Sequence, residues 1–168
     1  MTTPFEEVKE FHAHFDPVNH DTVRALSKQE AEYRSGFKLE EIIEFLYAAN
    51  GGKEKEFKES IAYLKETLDT ETEKILEKNK SVEPLTDEVD ALIDLLYFTY
   101  GSFVMMNVDP TPIFSMVHQA NMGKLFPDGK PRYHEVTKKV LKPENWEEDY
   151  APEPKIKAEI KRQIENNQ

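Results

Sequence analysis

Leu39-Glu40-Glu41-Ile42-Ile43-Glu44-Phe45-Leu46-Tyr47 sets three carboxylates inside a run that is otherwise apolar. At roughly 100° per residue, Leu39, Ile42, Ile43 and Leu46 gather on one side of a helix. Glu40, Glu41 and Glu44 then fall within an arc of about 100° on the other side. A second stretch repeats the arrangement: Asp87-Glu88-Val89-Asp90-Ala91-Leu92-Ile93-Asp94-Leu95-Leu96-Tyr97-Phe98. Asp87, Asp90 and Asp94 share an arc of about 60°, and aliphatic side chains cover most of the rest. An acidic stripe is usually a solvated face, but neither of these contains a cation, and neighbouring like charges repel. Both also lie in the most apolar helical segments of the chain, where a carboxylate without a partner is costly. A hard divalent cation between the stripes would relieve the repulsion, and carboxylate oxygens suit magnesium or manganese.

The rest of the chain also reads as helix. Pro4 followed by Phe5, Val8, Phe11, His12 and Phe15 predicts a short amphipathic helix ending before Asp16-Pro17. Helical periodicity then runs from about Asp21 to Asn50, with Gly36 as its weak point and Gly51-Gly52 as its stop. Residues 53–78 form a polar outer helix with one narrow seam, Phe57, Ile61, Leu64 and Leu68. Thr86 is the expected N-cap of the aspartate helix, which runs to about Asn107, and Asp109-Pro110-Thr111-Pro112 opens a fifth helix to about Leu125. No period-two strand pattern occurs. The fold class is therefore all-α, a bundle of about five main helices. Residues 1–150 form the domain, and residues 151–168 form a charged helix or tail expected to be peripheral or frayed.

With 168 residues the chain is long enough to bury a real core. Its net charge of −11 argues against a DNA, RNA or anionic-membrane binder. It has no cysteine, which excludes disulfides, zinc–thiolate sites and cysteine nucleophiles. No secretory leader is visible and no stretch reads as a membrane span, so a reducing cytoplasmic setting is expected. Against the overall acidity, residues 124–142 are conspicuously basic. They read either as a solvated loop or as a lid that brings ammonium groups to a polyanion. Arg34, less than two turns before the glutamate stripe, either pairs with it or meets a phosphate. His12 and His14 could touch substrate, although histidines beside aromatic residues more often serve packing.

Acidic helices holding divalent cations, together with a basic loop, suggest phosphate chemistry. Neither G-x-x-x-x-G-K-[ST] nor G-x-G-x-x-G is present, so a phosphate-cradling glycine loop is not the route. A di-iron carboxylate bundle would need Glu-x-x-His pairs, and none of the five histidines has a glutamate three residues before it.

Glu40-Glu41-Ile42-Ile43-Glu44 resembles the E-E-x-x-E signature of the all-α nucleoside triphosphate pyrophosphohydrolases. This MazG-like group includes dimeric dUTPases and phosphoribosyl-ATP pyrophosphohydrolases. Asp87-Glu88-Val89-Asp90 is similar to the family's E-x-x-D, with Asp87 in the place of the usual Glu and a longer insert between the motifs. His118-Gln119-Ala120-Asn121-Met122-Gly123-Lys124, Asp128-Gly129-Lys130-Pro131 and Lys139-Val140-Leu141-Lys142 resemble the phosphoribosyl-ATP pyrophosphohydrolase-like branch.

The resemblance implies that Glu41, Glu44, Asp87 and Asp90 hold Mg2+ (or Mn2+), with Asp94 in support. It implies that Glu40 ligates a further ion or orients the attacking water, sharing the catalytic role with Glu41. Asn121 and Lys124 would meet substrate, with Lys130, Tyr133, Arg34 and His14 as further contacts. The implied reaction is hydrolysis of a nucleoside triphosphate to monophosphate and pyrophosphate, with dUTP or a non-standard nucleotide among the candidates. The implied assembly is a homodimer or a dimer of dimers. The competing expectation is a non-catalytic helical dimer that binds a nucleotide or a protein partner through a degenerate acidic site.

Overall fold

Thr3 and Ser27 open the first two helices by the same device. In each, the hydroxyl accepts a backbone N–H three residues on, while the glutamate there reaches back to the cap's own N–H. The protein is described by a computed structural model covering residues 2–17, 22–78 and 80–166. Its elements in chain order are α1 (Pro4–Phe15), α2 (Lys28–Ala49), α3 (Glu54–Lys78), α4 (Pro84–Met106), α5 (Thr111–Met122), α6 (Trp146–Asp149) and α7 (Glu153–Asn166). Among the described residues there is no strand, and one isolated antiparallel bridge joins Tyr133 to Val140. The all-α expectation holds.

The boundaries correct the sequence reading in two places. The helix expected from about Asp21 starts at Lys28, because Ser27 is extended and caps it, and Asp21 lies outside the described residues. Arg24 then grips Glu30 with both guanidinium nitrogens, at 3.0 and 2.6 Å, and holds its carboxyl well below the usual range. Thr86 is not the cap of α4 but lies inside its first turn. Asp87, also in that turn, reaches back instead, its carboxylate accepting the N–H of Glu83 just before the helix at 2.9 Å. At the C-terminus the helix alternative holds, and Glu159 on it is buried.

Two compact units divide the chain: Val23–Asp94, and Met1–Thr22 with Leu95–Gln168. In the first, α2 and α3 form a hairpin. Gly51 and Gly52 make its turn at φ of 61° and 71°, a region that side chains with a Cβ avoid. Asn50 donates to Leu46 and Ser60, and the Tyr47 and Phe57 rings meet edge to face at 5.2 Å. The α3 seam is half-covered at Phe57, Ile61 and Leu64, whereas Ile75 and Leu76 farther along are exposed.

In the second unit, α1 and α7 both pack on α5. Phe11 stacks on Phe15 at 4.3 Å, and the buried Trp146 donates to the carbonyl of Ala120 at 2.8 Å. Gly123 lies so close under Tyr150 that a Cβ there would meet its ring at 2.3 Å. Gln163 of α7 exchanges hydrogen bonds with both backbone groups of Asp109, at 2.8 and 2.9 Å.

Among the described residues the expected sizeable core is absent. Among the described apolar residues only Phe15, Ala120 and Trp146 are buried. Helix α4 contributes none, with Phe98 68% and Met105 90% exposed. Contrary to the sequence reading, α4 is also long and apolar enough to cross a membrane by length and composition, one 18-residue stretch of it having a mean hydropathy of 1.3. Aspartates interrupt the apolar run to the eye, but Leu, Ile, Phe and Met outweigh them over that stretch.

Candidate active site

Both acidic stripes belong to the Val23–Asp94 unit. Glu40, Glu41 and Glu44 lie in the second half of α2, and Asp87, Asp90 and Asp94 in the first half of α4, all six exposed. Their spacing is that of the sequence reading, since both helices run without interruption through the motifs, Gly36 included. Within one chain, however, α2 and α4 are not in packing contact, and among the described residues no three His, Cys, Asp or Glu converge as ligands for one ion. The structure thus presents two separate triads. Glu41, Glu44, Asp90 and Asp94 make no hydrogen bond or ion pair among the described residues. Repulsion within each stripe is therefore unrelieved by any cationic side chain at these four positions. An all-oxygen, anionic donor set of this kind suits a hard divalent cation, with further ligands required to close the shell.

Asp87 has the double position noted above, a family-motif residue that also holds the start of α4. Its neighbour Glu88, which no motif singled out, accepts the N–H of Leu26 at 2.8 Å. That bond ties the approach to α2 to the helix bearing the second triad. No sequence signal marks such a link, because the partners are 62 residues apart.

The remaining predicted residues divide between the two units. Arg34 in α2 lies with its guanidinium carbon 5.7 Å from the centroid of the Phe37 ring. Burial, with a contribution from Arg34, pushes the neighbouring Lys38 ammonium down. His14 is exposed in the last turn of α1. Asn121 and Lys124 come together at the end of α5, where the ammonium donates to the Asn121 side-chain oxygen at 2.7 Å. Lys130 is exposed in the turn after α5. The Tyr133 hydroxyl donates to the carbonyl of Phe15, which anchors the basic segment to the end of α1. Burial pushes the Tyr133 hydroxyl up, and Asp16 adds to the shift. Arg132 lies over the Phe126 ring at 4.1 Å and Lys142 over the Trp146 ring at 3.7 Å, so this segment is held at several points.

Two hollows open in the second unit. A groove of about 410 Å³ near Phe103, Asp109 and Gln163 contains none of the predicted residues. A smaller cavity of about 100 Å³ lies between α1 and α5 and includes Asn121. Its other polar lining group, His118, was legible as the residue one helical turn before Asn121.

Comparison with known proteins follows the same lines. The family profile for phosphoribosyl-ATP pyrophosphohydrolase matches residues 8–121. Among solved structures, the chain is similar to a provisionally assigned NTP pyrophosphohydrolase from Exiguobacterium sp. 255-15. The two share 36% identity and a TM-score of 0.88, over 99% of each chain. None of the curated proteins matches.

Proposed function

Because the chain belongs to the phosphoribosyl-ATP pyrophosphohydrolase family, we propose that it hydrolyses nucleoside triphosphates to monophosphate and pyrophosphate with magnesium. The observation that carries this reading is the pair of exposed triads on α2 and α4, free of cationic side chains at four of six positions and within the family match. Glu41, Glu44, Asp87 and Asp90 would hold the cation, with Asp94 in support. When bound, a divalent ion neutralises phosphate oxygens and makes water a better nucleophile near neutral pH. Glu40 accepts a proton from the attacking water at a carboxylate oxygen, so that a new P–O bond forms as the bridging P–O bond breaks. Lys124 and Lys130 carry ammonium groups suited to the phosphate chain, and Asn121, already bonded to Lys124, orients the substrate.

A second copy of the chain is part of this reading. The uncovered apolar surface of α4 and the separation of the two triads within one chain both support it. A partner would bury the apolar surface and supply the missing carboxylates to each site. Glu41→Ala and Asp90→Ala test the assignment. Each is expected to lower turnover by at least about 100-fold, the scale on which a transition-state charge stabiliser acts, while helicity is kept. Wild-type turnover in either variant would remove it.

A further inference from the structure

We infer that Tyr33 and Phe37 on α2 form a stacking platform for the nucleobase of the substrate; the inference rests on the nucleotide-hydrolase reading above. The two rings share a helix face with the glutamate triad, since steps of three and four residues lead from 33 to 37 and on to 40, 41 and 44. At 1.5 Å per residue, Phe37 lies about 6 Å and Tyr33 about 12 Å along the axis from Glu41. A nucleotide whose phosphates lie at the glutamates would place its base one to two turns toward the start of α2, with the sugar as the spacer. All of these residues belong to one helix within one compact unit, so helix geometry alone sets the offset.

The rings are exposed yet held. Tyr33 is 61% and Phe37 40% exposed, and they meet edge to face with centroids 4.8 Å apart. Each braces the other and leaves ring surface open to a flat ligand. Arg34 lies beside them, its guanidinium carbon 5.7 Å from the Phe37 centroid, and adds a planar cation that can stack on a base or meet a phosphate. A Cβ added at Gly36, one turn before Glu40, would meet nothing within 4 Å. Internal packing therefore does not call for this glycine, which weakens a helix interior relative to alanine. Its effect is to keep the flank between Tyr33 and Glu40 open. The patch is small and flanked in sequence by Glu32, Ser35 and Lys38, unlike the broad apolar surface of α4 around Phe98 and Met105. Two rings in a polar frame fit a base better than they fit a protein surface. Every base has a π-face, so the platform grips the nucleotide without choosing among bases.

The test compares AMP with ribose 5-phosphate, which has the same sugar and phosphate but no base. Both are titrated calorimetrically into the full chain with magnesium present. The wild type is expected to bind AMP at least about tenfold more tightly, within the range of stacking on aromatic rings. Tyr33→Leu and Phe37→Leu should each weaken AMP about fivefold or more, the lower end of that range, and leave ribose 5-phosphate unchanged. Unchanged ribose 5-phosphate binding also shows that the chain has folded. Phe37→Tyr keeps a ring and should keep the wild-type affinity. Equal affinity of the wild type for the two ligands, or an AMP preference that survives loss of both rings, overturns the inference. Equal loss of both ligands, with dimer converted to monomer in native mass spectra, assigns the rings to contact with a second copy and overturns it too. Pyrophosphate release distinguishes the two readings. A ring-dependent AMP preference with no triphosphate hydrolysed sinks the hydrolase and leaves the platform, whereas hydrolysis without such a preference sinks the platform alone.

Discussion

The carboxylate of Glu88 accepts the backbone N–H of Leu26 at 2.8 Å, joining the segment that enters α2 to the first turns of α4. It links the segment before the glutamate-bearing helix to the helix with the aspartate triad, within one unit. Hydrogen bonds to charged groups contribute about 1.5–3 kcal/mol, and exposure brings this one toward the lower end. Glu88→Ala is expected to cost about 1 kcal/mol in stability and to lower kcat severalfold, with KM for magnesium raised. Glu88→Gln keeps an acceptor and should recover most of both. Recovery of stability without recovery of magnesium dependence would make Glu88 a structural tie only.

Asp87 separates two roles that the family pattern combines. Its carboxylate accepts the N–H of Glu83 at the start of α4, and it is also the shorter-armed residue in the place of a glutamate ligand. Asp87→Asn preserves an oxygen acceptor for the Glu83 N–H but removes the charge. Thermal melting of Asp87→Asn, an exposed position, is therefore expected to match the wild type within about 0.5 kcal/mol, while pyrophosphate release falls at least tenfold. Full activity in this variant would leave Asp87 as a tie to Glu83 alone and favour a site built on fewer ligands.

Mixing two inactive variants tests whether the sites are shared between copies. Glu41→Ala and Asp90→Ala chains, each inactive alone, are expected to regain turnover when refolded together, because one combined site in the mixed dimer carries neither substitution. Native mass spectrometry confirms that mixed species form. Mixed dimers with no activity would place each complete site within one chain.

The α7 clamp has a pH dependence of known sign. Hydrogen bonds from Arg162 first, then Gln163, hold the Glu159 carboxyl at about 2, down from 4.5. A carboxyl depressed in the folded state binds fewer protons there than in the unfolded chain. Its contribution is thus complete above pH 4.5 and is lost as the pH falls through about 2. Acid titration followed by circular dichroism should show stability declining over that interval. Glu159→Gln should flatten the decline, and an unchanged acid limb in that variant would contradict the account.

The sequence showed what depends on local period and cap chemistry. The acidic faces of α2 and α4, the stop at Gly51-Gly52 and the Pro4 start all follow from spacing that a helix imposes. It misread the ends where long-range or side-chain-specific bonds decide: Ser27 with Arg24 and Glu30 delays α2, and Thr86 lies inside α4, where Asp87 bonds back to Glu83. The bridge from Glu88 to Leu26, the fit of Gly123 under Tyr150 and the closure of Trp146 on Ala120 depend on tertiary proximity, which no periodicity encodes. The largest discrepancy is the core. Apolar residues such as Phe98 and Met105 mark a helix surface to be covered, but nothing in their pattern says whether the same chain or another covers it.

The most direct test is pyrophosphate release from a panel of nucleoside triphosphates, dUTP included, with magnesium and then with a chelator. The account predicts equimolar monophosphate and pyrophosphate that depend on the metal, absent in Glu41→Ala and Asp90→Ala. Release of orthophosphate instead, or release that persists under chelation, would contradict it.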